Sequence, residues 1–135
     1  MIVSTKGRYA LRIMLELAMH EGEGYLSLKE ISARQNVSMK YLEQITTLLN
    51  KADLLKSQRG PQGGYRLSKA PRDYTIGEIL RAVEGRLAPI SCLESEHNLC
   101  PRQEDCLTIG FWEGLYRVID EYTDSVTLAD LLGGR

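Results

Sequence analysis

The sequence predicts a mainly α-helical fold with one small β-hairpin. Three observations support this prediction. Apolar residues recur at helical spacing along most of the chain, two capping boxes mark helix starts, and one pair of short strands encloses a glycine-rich loop. The 135 residues are 43% hydrophobic and 26% charged. This composition can form a buried core and excludes wholesale disorder.

The first predicted helix begins at Ser4 or Thr5 and ends near Gly22 or Gly24. Its inward face is defined by apolar residues at i, i+3 and i+4 spacing. These residues are Tyr9, Ile13, Met14 and Leu17.

A short second helix is predicted from Ser27, whose hydroxyl can cap the helix while Glu30 reaches back to the Ser27 amide. Residues 36–38 predict a turn that ends in another N-cap, and a third helix then runs from Met39 to about Ala52. Its inward residues are Leu42, Ile45, Leu48, Leu49 and Ala52. Two helices joined by such a short turn form a helix-turn-helix unit, although many similar pairs bind no nucleic acid.

A basic hairpin is predicted directly after these helices. Residues 54–59 and 65–68 predict two short strands, and the loop between them contains three glycines, which allow positive φ and close backbone approach. A helix-turn-helix followed by such a hairpin is the winged-helix arrangement. The predicted fold class is therefore a winged helix-turn-helix domain plus a long C-terminal dimerisation helix.

The second half of the chain predicts three further helices. Thr75 and Glu78 form a second capping box that opens a helix ending at Gly85, and Thr127 caps a short last helix. We divide the chain into a winged helix-turn-helix domain (1–85), a cysteine-bearing loop (86–106), and a dimerisation helix with its tail (107–135). The long helix carries an aromatic-rich stripe that favours a dimer seam over packing within one chain. The seam residues are Phe111, Leu115, Val118, Ile119 and Tyr122.

The charges divide between the two halves of the chain. Residues 1–70 contain 11 Lys and Arg against 6 Asp and Glu, whereas residues 71–135 contain 6 against 12. This division indicates a basic front that faces a polyanion, although chance alone can produce it. We expect a cytoplasmic protein, because the sequence shows neither a transmembrane stretch nor a signal-peptide pattern at its start.

The outward stripe of the third helix predicts a DNA-reading face. Gln can pair with adenine, Glu can accept from cytosine N4, and Thr can contact a thymine methyl group, although most such polar stripes are merely solvated. Lys51 ends the stripe, and Arg8, Lys56 and Arg66 are further cations that can contact phosphate, as can the N-terminal end of the first helix. The predicted DNA-binding residues are Lys6, Ser38, Lys40, Tyr41, Glu43, Gln44, Thr47, Arg59, Gly60 and Gly63.

All three cysteines lie in the aperiodic loop, as Cys92, Cys100 and Cys106. Their C-x7-C-x5-C spacing is a poor match to structural zinc sites, which usually contain closely spaced cysteine pairs. Three thiolates and one further donor suit an iron–sulfur cluster. Free or redox-active thiols are the alternative, and the spacing does not decide between the two.

Four segments resemble the IscR, NsrR, RirA and CymR group of bacterial winged-helix regulators. These segments are residues 4–10, 41–44, 59–65 and 127–131, of which the wing segment 59–65 is the most specific. The resemblance covers essentially the whole chain. It implies a homodimer that binds double-stranded operator DNA, with Glu43 as the position where a cluster alters the choice of site. In many members, three cysteines at these positions hold a [2Fe–2S] or [4Fe–4S] cluster, and we favour [2Fe–2S].

The fourth cluster ligand is where the sequence departs from the family pattern. Members like IscR carry a histidine three residues after the last cysteine, where this chain has Ile109, and members like NsrR use an N-terminal aspartate, where this chain has Arg8. His97 is therefore a possible fourth ligand. The acidic residues near the cysteines are also candidates, namely Glu94, Glu96, Glu104 and Asp105.

Two regulatory hypotheses follow. In the first, an iron–sulfur cluster that senses iron, redox state or nitric oxide controls operator binding. In the second, a CymR-like repressor without a cluster is controlled by cysteine synthase or by thiol oxidation. An enzyme is not expected, because the chain contains no Ser/His/Asp constellation, P-loop or paired acid site.

Overall fold

A computed structural model of the chain describes residues 3–98 and 100–134. Across these residues the helices and strands follow one another as α1 (Thr5–Met19), α2 (Leu28–Gln35), α3 (Met39–Lys51), β1 (Leu55–Gln58), β2 (Gly64–Leu67), α4 (Ile76–Glu84), α5 (Ile109–Ser125) and α6 (Leu128–Leu132). The predicted class, mainly helical with one β-hairpin, is confirmed. No helix in this part of the chain is both long and apolar enough to cross a membrane.

Side-chain caps fix the helix starts. Ser4, Ser27, Ser38, Thr75 and Thr127 each accept a hydrogen bond from the backbone N–H three residues later. However, the prediction that the glutamate of each capping box accepts a hydrogen bond from the backbone N–H of the cap residue is wrong. The Glu30 carboxylate accepts from the Ser27 hydroxyl, and the Glu78 carboxylate pairs with the Lys69 ammonium at 3.0 Å. A cation or hydroxyl within reach competes with the backbone amide for these carboxylates.

Helix α1 lies at the centre of the core. Ala10, Ile13 and Met14 are fully buried, and α1 contacts α2, α3, α4, α6 and β2. On α3, the predicted inward residues Leu42, Ile45 and Leu49 are also fully buried. Ala52 was predicted to face inward but is exposed, because α3 ends at Lys51 and the chain turns away at Asp53, where φ is 61°.

The wing comprises β1, β2 and the loop between them. The strands pair antiparallel, with Lys56 opposite Arg66. A third segment joins them, because Leu26 and Tyr65 exchange two backbone hydrogen bonds of 2.9 Å. Gly64, at φ 148°, has no room for a Cβ against the Leu26 carbonyl. The third segment was not predicted, since a single bridging residue has no periodicity.

The C-terminal helices pack back onto the first half of the chain. On α4, Arg81 binds Asp120 and Asp124 of α5 at 3.4 and 2.7 Å. Desolvation lowers the pKa of Arg81, but hydrogen bonds and charges from the two aspartates outweigh it and raise the pKa above its ordinary value. Leu128 of α6 is fully buried in the core beside α1. The predicted division at residue 85 stays a prediction, and the tail helix shares the core of the first 85 residues.

The Tyr74 hydroxyl closes the base of the wing. The side chain is fully buried, and its hydroxyl donates to the Leu54 carbonyl at 2.6 Å. The same oxygen accepts from the backbone N–H groups of Ser68 and Lys69 at 2.8 and 3.2 Å. Because Leu54 precedes β1 and Ser68 follows β2, one side chain ties both strand ends to the segment that opens α4.

Replacing Tyr74 with Phe should lower the free energy of unfolding by about 1–3 kcal/mol, since buried backbone groups at the wing base lose their partner while the ring stays in place. Chemical denaturation measures this loss. Tyr25→Phe is the matched control, because the Tyr25 ring contacts Arg66 and its hydroxyl makes no hydrogen bond with the residues described. Equal stability of the two variants would contradict the role assigned to the Tyr74 hydroxyl.

Candidate nucleic-acid interface and cysteine segment

The outward face of α3 meets the N-terminal segment of α1. We define the α3 face as the exposed residues Lys40, Glu43, Gln44, Thr47 and Lys51. The first four line a shallow depression of about 530 Å³ together with Lys6 and Leu48. Ser38 caps α3 by accepting the Tyr41 N–H at 3.2 Å. The structure therefore brings Lys6, predicted as a phosphate contact, beside the side chains predicted to read bases.

Tyr41 differs from the exposed residues of the α3 face. It is half-buried and packs against the core, with its ring edge-on to Tyr9 at a centroid distance of 6.0 Å. The Arg12 guanidinium stacks on the Tyr9 ring at 4.7 Å from its centroid, and Arg12 also donates a hydrogen bond to Gln35 on α2 at 2.8 Å. These contacts fix the first turn of α3 against α1 and α2. A DNA contact by Tyr41 stays a prediction.

The wing loop presents Arg59 to solvent. Gly60 has φ 104° and its carbonyl accepts the Gly63 N–H at 3.0 Å. A Cβ on Gly63 would collide with the Gln58 carbonyl, so this tight loop requires glycine there. The loop leaves the Arg59 side chain exposed at the end of β1.

Arg59 and the helix-turn-helix line one cleft of about 530 Å³. Its other walls include Lys29 at the start of α2 and Met39 and Asn50 of α3. Lys29 and Asn50 were not predicted as part of the interface. The positive charge of Lys29, in the first turn of α2, was the one sequence feature that could have identified it as part of the interface. Asn50 could not be identified in this way, because it reaches the cleft through the tertiary packing of α3 beside the wing.

Two cations of the wing face each other. Lys56 and Arg66 are directly opposite in the strand register, and such like-charged pairs are unfavourable unless a counter-charge lies near. Arg66 is held by stacking on the Tyr25 ring at 4.8 Å. The phosphate contacts expected of both residues stay predictions.

The N-terminal end of α1 is engaged by an acidic residue of the same chain. The Glu84 carboxylate accepts from the Ser4 backbone N–H at 2.8 Å and from the Ser4 hydroxyl. A carboxylate at this position repels phosphate. The expectation that the end of α1 itself contacts phosphate stays a prediction, as do the contacts expected of Lys6 and Arg8.

The cysteine segment, residues 86–106, carries three half-exposed thiols without a disulfide among the residues described. Desolvation raises the pKa of the Cys92 thiol, and the neighbouring Cys100 and Cys106 raise it further. A hydrogen bond from the Thr108 hydroxyl, at 3.5 Å, lowers the pKa of Cys106. Cys106 thus has more thiolate character than Cys92.

Two of these cysteines and the candidate fourth ligand share one cavity. Cys92, His97 and Cys100 line an open depression of about 330 Å³ with Ser91 and Ser95. Within residues 3–98 and 100–134, however, no three His, Cys, Asp or Glu side chains are arranged to hold a metal ion. The donor types suit an iron–sulfur cluster, and binding one requires the segment to close around it.

The predicted seam on α5 is largely uncovered. Phe111, Val118 and Tyr122 are 66, 57 and 67% exposed. Leu115 is 36% exposed, and Ile119 is half-buried against the core. Four of the five seam residues therefore offer apolar surface that the chain does not cover by itself.

Comparison with known proteins identifies the family. The sequence model of the Rrf2 family, described as "Iron-dependent Transcriptional regulator", matches residues 3–134. The chain is 44% identical over 131 residues to the HTH-type transcriptional regulator CymR of Bacillus subtilis, which covers 97% of this chain and 89% of the relative. It is 38% identical over 135 residues to the HTH-type transcriptional regulator IscR of Erwinia tasmaniensis, covering 100% of this chain and 81% of the relative.

Solved structures give the same assignment. CymR (YrzC), the global cysteine regulator of B. subtilis, matches with a TM-score of 0.79 and 41% identity over 100% of this chain and 98% of that chain. T. potens IscR matches with a TM-score of 0.77 and 44% identity over 98% and 87%. The predicted winged-helix fold and family resemblance are confirmed, and relatives are named as regulators rather than enzymes. The chain belongs to the Rrf2 family of DNA-binding transcriptional regulators.

Proposed function

We propose that the protein is a homodimeric regulator that binds operator DNA through the α3 face and the wing, and that the cysteine segment receives its signal. The juxtaposition of Lys6 with the α3 face, next to the cleft that contains Arg59, carries this proposal. A helix-turn-helix places the N-terminal part of its second helix in the major groove, and the wing then lies along the neighbouring minor groove.

Each part of this surface has a distinct role in the proposal. Gln44 hydrogen-bonds adenine. Glu43 favours binding to sites that offer a cytosine amino group, and at other sites its charge disfavours binding because it repels phosphate. Lys6 and Lys40 contact phosphates, which position the protein without reading sequence. Arg59 enters a narrow minor groove, where the negative potential is strongest.

The dimer is proposed to form along the exposed seam of α5. An isologous contact buries the same apolar residues from both copies, as a two-fold axis requires. The two α3 helices then read half-sites about 34–36 Å apart on a pseudo-palindromic operator. The apolar, aromatic character of the uncovered seam supports a second copy as its occupant.

In the preferred form of the proposal, the signal is an iron–sulfur cluster held by Cys92, Cys100 and Cys106. His97 is the candidate fourth donor because it shares a cavity with Cys92 and Cys100. Such a cluster would supply redox and iron sensitivity, and a donor other than cysteine makes it more labile. The name of the matching family and the IscR relatives support this form.

The second candidate is a regulator without a cluster, controlled by thiol oxidation or by cysteine synthase. One comparison favours it, because CymR is as similar to this chain as the IscR relatives are. The lowered pKa of Cys106 suits a thiol that reacts with oxidants.

The DNA-binding mode predicts different effects for Gln44→Ala and Arg59→Ala. Loss of Gln44 should cost about 1–3 kcal/mol at one base pair and relax the preference there. Loss of Arg59 should make the dependence of affinity on salt shallower and weaken the preference for narrow minor grooves. Titration of operator variants at several salt concentrations measures both effects. Wild-type binding by both variants would rule out this docking mode.

The dimer interface predicts that Leu115→Asp combined with Val118→Asp yields monomers with greatly weakened operator binding, because buried carboxylates destabilise an apolar contact. We choose Val118 rather than Ile119 because Ile119 packs on the core. Sedimentation at micromolar concentration measures the association. Arg117→Asp, an exposed position on the same helix, is the control. A monomeric wild-type protein would refute the dimer.

The cluster predicts visible iron–sulfur absorption after anaerobic reconstitution with iron and sulfide. Alanine at any of the three cysteines should abolish it, since each thiolate is a ligand. His97→Ala should remove or shift the absorption if His97 is the fourth donor, and Ser95→Ala in the same cavity is the control. Colourless wild-type protein would eliminate the cluster and leave the second candidate.

A further inference from the structure

Glu84 joins the end of α4 to the start of α1. It is the last residue of α4, and its two carboxylate oxygens accept from the backbone N–H and the hydroxyl of Ser4. The Ser4 hydroxyl in turn accepts the Gly7 N–H and so caps α1. Because the donated proton of this hydroxyl points at Glu84, the carboxylate sets the orientation of the cap itself.

The packing around this contact leaves little freedom. Gly7 is buried, and a Cβ at this position would lie 2.8 Å from Val3 Cγ1 and 3.2 Å from the Glu84 side chain. The positive end of the α1 dipole also favours a carboxylate here. The first turn of α1 is therefore held against α4 by sterics, hydrogen bonding and charge.

Lys6 belongs to this same turn and lines the depression with Lys40, Glu43 and Gln44. We propose that Glu84 is a positioning residue for operator binding, which holds the first turn of α1 so that Lys6 lies beside the α3 face. This inference rests on the DNA contact proposed for Lys6. Glu84 immediately precedes Gly85, beyond which the cysteine segment begins.

The proposal makes a prediction opposite in sign to simple electrostatics. Removing a carboxylate near a DNA-binding surface reduces repulsion and, from charge alone, strengthens binding. If Glu84 positions Lys6, its removal weakens binding instead. The direction of the change therefore separates a positioning role from a general effect of charge.

The experiment measures operator affinity against salt concentration for Glu84→Ala, Glu84→Gln, Lys6→Ala and the double variant Lys6→Ala/Glu84→Ala. We expect Glu84→Ala to weaken binding about threefold to tenfold and to reduce the salt slope by about 0.9, the value of one phosphate contact. Glu84→Gln keeps one acceptor for Ser4 and should fall between Glu84→Ala and wild type. The double variant should be no weaker than Lys6→Ala, because both changes remove one contact.

Controls separate the inference from the function on which it rests. Glu21→Ala makes the same charge change at an exposed residue whose side chain makes no hydrogen bond or ion pair with the residues described, and it should not weaken binding. Thermal unfolding verifies that each variant is folded at the assay temperature, and Glu84→Gln, which preserves side-chain size, replaces Glu84→Ala if the latter unfolds.

Unchanged or tighter binding by both Glu84 variants, with Lys6→Ala weakened, would overturn the inference and leave the proposed function standing. Additive losses in the double variant would also overturn it. No effect of Lys6→Ala would instead remove the proposed Lys6 contact itself.

Discussion

Burial of the inner face of α1 is the constraint on which the rest of the structure depends. Ala10, Ile13 and Met14 are fully buried, and elements from both ends of the chain pack on this one helix. A fully buried aliphatic side chain contributes about 1.5–3 kcal/mol. The helix-turn-helix, the wing and α6 therefore acquire fixed relative positions through a shared neighbour, and α3 is oriented relative to the wing before any DNA is bound.

A second level of organisation links the wing to the C-terminal half. The Tyr74 hydroxyl holds both strand ends at the base of the wing, while the Tyr74 carbonyl accepts the Leu128 N–H at 3.0 Å. Ile76, which opens α4, donates to the Val126 carbonyl at 2.9 Å. The DNA-binding elements and the tail thus form one hydrogen-bonded unit, although they lie far apart in sequence.

Local sequence patterns predicted the parts of the fold that depend on neighbouring residues. The caps at Ser38 and Thr127 and the buried stripe through Leu42 and Ile45 need only helical spacing and a hydroxyl at the right place. Apart from the reciprocal capping-box bonds and the position of Ala52, the parts that were missed are contacts between distant segments. The Ser4–Glu84 contact joins residues 80 positions apart, and the sequence pattern around either residue does not indicate that the two are in contact. The cysteine spacing likewise identified three soft donors, but a fourth donor depends on how the segment folds back.

These connections also determine how an input at the cysteines can reach the DNA-binding surface. The cysteine segment begins after α4, and Leu87 and Ala88 near its start are buried to 1% exposure, so this end is anchored in the core. Its other end continues into α5, which is tied to α4 by the pair of Arg81 with Asp124. Both ends therefore act on α4, whose last residue contacts the cap of α1. Either form of the proposed signal would therefore act on the same helix, because both ends of the segment are joined to it.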